Sequence, residues 1–149
     1  MDLILWRHAE AGDGVPDVAR RLTSKGEKQA GKMAAWLRTR IHQPVRMLVS
    51  PATRTQQTAQ AFSSEFEIIK EIGLNSSAKH ILQVTGWPHA EGTVIVVGHQ
   101  PTLGQLAALL LSGLEMDWNI KKGAIWWFQS SSDDSETVLR AVLTPKHVE

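Results

Sequence analysis

Three short apolar runs constrain this chain more than any other feature, because each leads into a residue suited to holding anions. The first, Leu3-Ile4-Leu5-Trp6, delivers the pair Arg7-His8 into Ala9-Glu10-Ala11-Gly12. The second, Val45–Val49, precedes Ser50-Pro51-Ala52-Thr53-Arg54-Thr55, and the third, Val94-Ile95-Val96-Val97-Gly98, ends at His99. Runs of this length between polar turns read as buried strands. Open α/β sheets bind ligands in the crevice beyond the carboxyl ends of their strands, so Arg and His placed there read as chemistry before packing.

Strand-like and helical segments alternate along the chain, which predicts an α/β fold of three layers, α/β/α, around a mostly parallel sheet. Predicted strands lie at residues 3–6, 45–49, 67–69, 93–97, 124–129 and 137–143. The last two flank a polar turn at 130–135 and form an expected antiparallel hairpin near the C-terminus. A first helix is expected from a capping box of Ser24 and Glu27, with Ala30, Met33, Ala34, Leu37 and Ile41 on one stripe. A second starts with Ser50 as cap and Pro51 at its first position, and lines Thr55, Ala59 and Phe62 along one face. A third is expected at 78–84. Gln100-Pro101 opens the fourth, whose stripe is Leu103, Leu106, Ala107, Leu110 and Leu111 and whose stop is Gly113. Trp6 and one of Trp126 and Trp127 belong in the core, and Trp36 at a helix surface or edge.

The 149 residues fit one domain, 1–149, able to bury about two thirds of its unfolded surface. A net charge of +1 gives no broad basic field, and no aromatic residues interleave with a basic groove, so nucleic acid is not an expected partner. Cysteine is absent, which removes disulfides, thiolate metal ligands and a cysteine nucleophile together. The longest apolar run, 106–111, is too short to span a bilayer and no leader pattern opens the chain; a cytoplasmic protein without membrane contact is the expectation. The six histidines show no metal-ligand spacing, so no metal and no other cofactor is expected. His42, His80, His89 and His147 are expected at the surface, and Lys121-Lys122-Gly123 in a solvated turn.

Arg7, Arg54, His8 and His99 suit phosphoryl transfer. A phosphoryl group in flight carries negative charge on its equatorial oxygens, so a protein must mainly position donors and cations around it. Arginine offers a planar, permanently charged fork matched to phosphate oxygens, and helix starts after Ser50 and Gln100 would add unpaired amides. With Arg7, Arg54 and His99 holding phosphate, His8 is free to attack, since neutral imidazole is a competent nucleophile.

The same residues resemble the histidine phosphatase superfamily, whose signature is an Arg-His pair after the first strand, an Arg early in a later helix, and a second His after a further strand. Arg7-His8-Ala9-Glu10-Ala11 resembles the short SixA-type members, which act on phosphohistidine. Arg20-Arg21-Leu22-Thr23-Ser24-Lys25-Gly26 is similar to their Arg-Pro-Leu-Thr-x-x-Gly segment. Ser50-Pro51 with Arg54 and Gln57-Thr58-Ala59, then Val97-Gly98-His99-Gln100-Pro101, follow in the family's order. The likeness is weakest at residues 72–92 and after Trp126. It implies His8 as nucleophile and Arg7, Arg54 and His99 as the phosphate pocket, with Arg20 a further candidate for phosphate or substrate contact.

No Asp or Glu lies between Glu71 and Glu91, where related short enzymes commonly carry an acidic residue after Leu-x-Pro. Glu10 is a candidate acid or base two residues beyond His8, its more ordinary role being a hydrogen bond within the loop. A phosphohistidine substrate relaxes the need for an acid, because protonated imidazole has a pKa of about 6.5. The expected function is therefore a metal-independent phosphatase acting on a phosphohistidine-containing protein. A small phosphoester or phosphoanhydride is the alternative substrate, and a phospho-ligand binding domain without turnover is the alternative of another class. Few lid insertions and an open site favour a protruding protein side chain.

Overall fold

The computed structural model describes residues 1–133 and 135–148. Six strands, β1 (Asp2–Arg7), β2 (Val45–Val49), β3 (Glu67–Ile68), β4 (Thr93–Gly98), β5 (Ile125–Ser130) and β6 (Thr137–Leu143), form one sheet in the order β3-β2-β4-β1-β5-β6. The first four pair in parallel, while β5 runs antiparallel to both β1 and β6. Four helices, α1 (Ser24–Arg38), α2 (Thr53–Gln60), α3 (Ala78–Thr85) and α4 (Thr102–Ser112), cover it. The expected mixed sheet and C-terminal hairpin are both present. Residue 134 of the predicted turn lies outside the described residues.

The three layers follow from the pleat of β1. Leu3 and Leu5 join one apolar cluster with Ile81 of α3 and Leu103 and Leu106 of α4, whereas Ile4 and Trp6 join another with Met33 and Leu37 of α1 and Ala59 of α2. Successive side chains of a strand point to opposite faces, so a strand buried on both reads as an unbroken apolar run. β4 is buried along its whole length for the same reason. Trp127 is buried beside Trp36 of α1 in an edge-on contact at 5.9 Å, and Trp126 is half-buried on the opposite face. Among the described residues no helix is long and apolar enough to cross a membrane.

Register brings three strand ends together. Arg7 lies opposite Gly98, and Val49 opposite Val97. The His8 amide donates to the Gly98 carbonyl at 3.1 Å and the Ser50 amide to the Val97 carbonyl at 3.1 Å. His8, Ser50 and His99 thus leave the sheet side by side.

Three helix starts differ from their sequence expectation. Thr23, not Ser24, caps α1: its hydroxyl accepts from the Gly26 amide at 3.0 Å, while its own amide donates to the Glu10 carbonyl at 3.0 Å. The loop after β1 fixes Thr23 at that position, and so shifts the cap by one residue. α2 begins at Thr53 with Ala52 as its cap residue, and the Ser50 hydroxyl, two residues earlier, pairs with His99 Nε2 at 2.7 Å and accepts from the Ala52 amide at 3.3 Å. α4 begins at Thr102, and the Gln100 side chain serves its first turn by accepting from the Gly104 amide at 2.8 Å. Ser77 caps α3, and Gly113 ends α4 at a φ of 79°, as a left-handed cap requires.

Gly26 is where the post-β1 loop presses against α1. A Cβ there would fall far inside van der Waals contact with the Glu10 carbonyl oxygen. In an open helix interior, Gly→Ala stabilises by about 1 kcal/mol. Here the blocking atom is backbone, so the sign reverses: Gly26→Ala is expected to lose about 1–3 kcal/mol, as overpacking does. Chemical denaturation of the two proteins measures this, and an unchanged or higher midpoint would show that the loop yields freely.

Candidate active site

The catalytic candidates converge from the three strand ends and the start of α2. His8 is 7% exposed, His99 5% and Arg54 4%, and Arg7 is half-buried at the end of β1. The two imidazole rings lie 5.4 Å apart between centroids, inclined at 58°. Arg54 reaches this pair from the first turn of α2, with its Nη2 3.5 Å from His99 Nδ1. The expected nucleophile, His8, and the three residues expected to hold phosphate, Arg7, Arg54 and His99, are therefore near one another.

Each ring is oriented by the nitrogen it does not offer to a ligand. His8 Nδ1 donates to the Ala9 carbonyl at 2.8 Å, which leaves Nε2 with the lone pair. His99 Nε2 is paired with the Ser50 hydroxyl at 2.7 Å, leaving Nδ1 on the Arg54 side. Arg7 Nη1 donates to the Ile120 carbonyl at 2.8 Å. Arg54 Nη1 and Nη2 donate to the Asp17 carbonyl at 2.9 Å and carboxylate at 3.1 Å. The Nε atoms of both arginines are buried without a partner. Unpaired buried donors are uncommon and call for an explanation, which an anionic ligand would provide.

Burial pushes the His8 imidazole down to about 3, against the opposing effect of its bond to Ala9, and the nearby His99, Arg54 and Arg7 lower it further. Burial and then Arg54 push His99 down to about 4, with Asp17 pulling the other way and Arg7 reinforcing the fall. Burial and the neighbouring Arg54 also hold Arg7 below its ordinary value. Two neutral imidazoles beside two guanidinium groups make a pocket whose charge is completed by an incoming anion.

Arg20 and Glu10 stand differently from the other four. Arg20 donates through Nε to the Gly12 carbonyl at 2.8 Å and pairs with Asp17 at 3.1 Å, so it meets the pocket through Asp17. The Glu10 carboxylate accepts from the Thr23 hydroxyl at 2.7 Å, tying the loop to the start of α1, and also lines a groove that begins at Arg7. Asp17 and Ser50 are the participants that sequence reasoning missed. Asp17 is half-exposed, in the short 3-10 helix Asp17–Ala19, and its hydrogen bonds to Arg20 and Arg54 hold its carboxyl below the usual range. Its spacing from Arg20 was visible in the sequence, but its contact with Arg54 spans 37 residues. Ser50 has the look of a helix cap, and that local reading hid its pairing with His99.

His42, His80, His89 and His147 are exposed, as expected. Among the described residues no group of three His, Asp or Glu side chains is placed to hold a metal ion.

The folded state keeps both imidazoles neutral where the unfolded chain would bind protons near pH 6.5. Stability rises with pH wherever the unfolded state binds more protons, so it is expected to fall as pH drops from about 6.5 towards 3. NMR titration of the ring carbons should show His8 and His99 without a transition near 6.5, and phosphate should move the His99 midpoint upward. An ordinary titration of either ring in the free protein would contradict this electrostatic picture.

The sequence matches the model of the histidine phosphatase superfamily (branch 1) over residues 3–76, a span that includes Arg7, His8, Asp17 and Arg54. Phosphohistidine phosphatase SixA of Escherichia coli strain K12 is 31% identical over 126 residues, covering 76% of this chain and 76% of the relative. A SixA homolog of Haemophilus influenzae is 34% identical over 126 residues, covering 74% of this chain and 77% of its own. The solved structure of the protein histidine phosphatase SixA complexed with tungstate superposes with a TM-score of 0.78 at 26% identity, over 98% of both chains.

Proposed function

The chain belongs to the histidine phosphatase superfamily, and on that premise we propose that it hydrolyses protein phosphohistidine without a metal ion, through a covalent intermediate on its own His8. The observation that carries this reading is the orientation of His8. Its Nδ1–H is fixed on the Ala9 carbonyl, so the Nε2 lone pair is available in a ring that stays neutral down to about pH 3. A binding module would need the arginines but not this nucleophile.

In the first step His8 Nε2 forms a bond to phosphorus as the P–N bond of the substrate breaks, and the departing imidazole keeps the electron pair and takes a proton. Arg7, Arg54 and His99 stabilise the equatorial oxygens, with both guanidinium groups held in place by backbone carbonyls. His99 gains a proton more readily once a phosphoryl dianion lies beside it, because a nearby negative charge favours the imidazolium. In the second step water attacks phosphorus, His8 Nε2 leaves, and inorganic phosphate is released. Asp17 holds the outer edge of Arg54, and Arg20 acts on the pocket only through Asp17.

The carboxylates favour phosphohistidine over an alkyl phosphate. An alkoxide leaving group needs a proton from an enzymic acid. Asp17 is held ionised by Arg20 and Arg54, and Glu10 accepts a hydrogen bond from Thr23. Asp17 is therefore no ready donor, whereas imidazole near neutral pH can take its proton from water.

The test of function is transfer of labelled phosphate from a phosphohistidine protein. The wild type should form an acid-labile, base-stable phosphoenzyme and release phosphate. His8→Ala should do neither while retaining oxyanion affinity, and turnover by a folded His8→Ala protein would end the covalent mechanism.

Rates should fall steeply from phosphohistidine and aryl phosphates to phosphoserine as the leaving group becomes more basic, and Glu10→Gln should change that slope little. A shallow slope that steepens in Glu10→Gln would make Glu10 the general acid and restore a small phosphoester as the substrate.

A further inference from the structure

The groove that begins at Arg7 has a volume of about 550 Å³ and a pronounced imbalance of charge. Lys25 at the start of α1, Lys121 and Lys122 in the turn before β5, and Lys146 in the short 3-10 helix Pro145–His147 all line it, against the single carboxylate of Glu10. These lysines are exposed, and among the described residues none forms an ion pair. The whole chain carries a net charge of only +1, so this concentration of cations beside the catalytic strand is local.

The lysine-bearing turn is anchored to the catalytic residues themselves. Arg7 donates to the Ile120 carbonyl at 2.8 Å, and the Gly123 amide donates to the His8 carbonyl at 3.0 Å. Lys121 and Lys122 lie between these two bonds. Their backbone is held against the phosphate pocket while their side chains stay in solvent.

We propose that this groove docks an acidic segment of the phosphorylated protein, flanking the phosphohistidine that enters the pocket; the proposal rests on the phosphatase reading above. Exposed lysines are strongly hydrated point charges, unlike the buried planar fork of Arg54 that suits a single small anion. They match a mobile run of Asp and Glu side chains that stay partly solvated. The groove has no Trp or Phe in its lining, so it offers no stacking surface for nucleic-acid bases. Charges at such a rim act chiefly on association rate and salt dependence.

The experiment uses two fluorescent peptides carrying a stable phosphonate analogue of phosphohistidine, one flanked by Asp and Glu and the other by Asn and Gln, together with a single-stranded oligonucleotide. Fluorescence anisotropy measures binding to the full chain. The acidic peptide should bind at least tenfold tighter than the neutral one at low salt, and that ratio should collapse at 0.5 M NaCl. Lys121→Glu/Lys122→Glu, and independently Lys146→Glu, should bring the ratio to near one, while Lys70→Glu/Lys79→Glu, at exposed lysines outside the groove lining, should preserve it. Equal binding of the two peptides by the wild type, or a ratio that survives both groove variants, would overturn the proposal. Tighter binding of the oligonucleotide through the same lysines would also overturn it. Phosphate release from a saturating concentration of a phosphohistidine protein, measured in parallel, reports separately on the phosphatase reading: its absence would sink that reading whatever the peptides do.

Discussion

Parallel pairing of β1 and β2 with β4 is the constraint on which the rest depends. A parallel ladder in register makes neighbouring strands end at one level, and here the hydrogen bonds from His8 to Gly98 and from Ser50 to Val97 carry the register one residue past the strands. A slip of one residue would send every side chain to the other face. It would bury His8 or His99 in an apolar layer and place a hydrophobic residue in the pocket. The apolar clusters on the two faces of the sheet therefore fix the geometry of the candidate site as well as the fold.

Desolvation then turns that geometry into chemistry. His8 and His99 are nearly excluded from water beside two guanidinium groups, which favours neutral rings and leaves a net positive site. In the proposed reaction a neutral His8 attacks, and a neutral His99 acquires its proton only when an anion compensates for the cost. Asp17 moderates the arrangement from the solvent side by engaging Arg54 through both its carbonyl and its carboxylate. The loop that carries Asp17 is in turn fixed by backbone bonds between Gly12 and Arg21 and between Glu10 and Thr23.

The proposed substrate class rests on two different regions. The pocket is built of buried, oriented donors suited to a phosphoryl group, whereas the adjoining groove is lined by exposed lysines. The turn at Lys121 and Lys122 reads as an ordinary solvated turn in one dimension. Its importance comes from the bonds on either side of it, which tie it to Arg7 and His8.

The sequence by itself determined the buried strands, the order of the helices, and the identities of Arg7, His8, Arg54 and His99, because apolar periodicity and strand-end chemistry are local properties. It also carried the C-terminal hairpin and the glycine that ends α4. Tertiary structure decided which polar side chain meets which. Ser50 meets His99 from β4 at hydrogen-bonding distance instead of capping α2, and Thr23 became the cap of α1 because the Glu10 carbonyl held its backbone. Asp17 became a partner of Arg54 for the same reason. Such pairings join residues far apart along the chain, and a hydrogen bond needs its donor and acceptor within about 3 Å, a condition that only the packed sheet and its loops can impose.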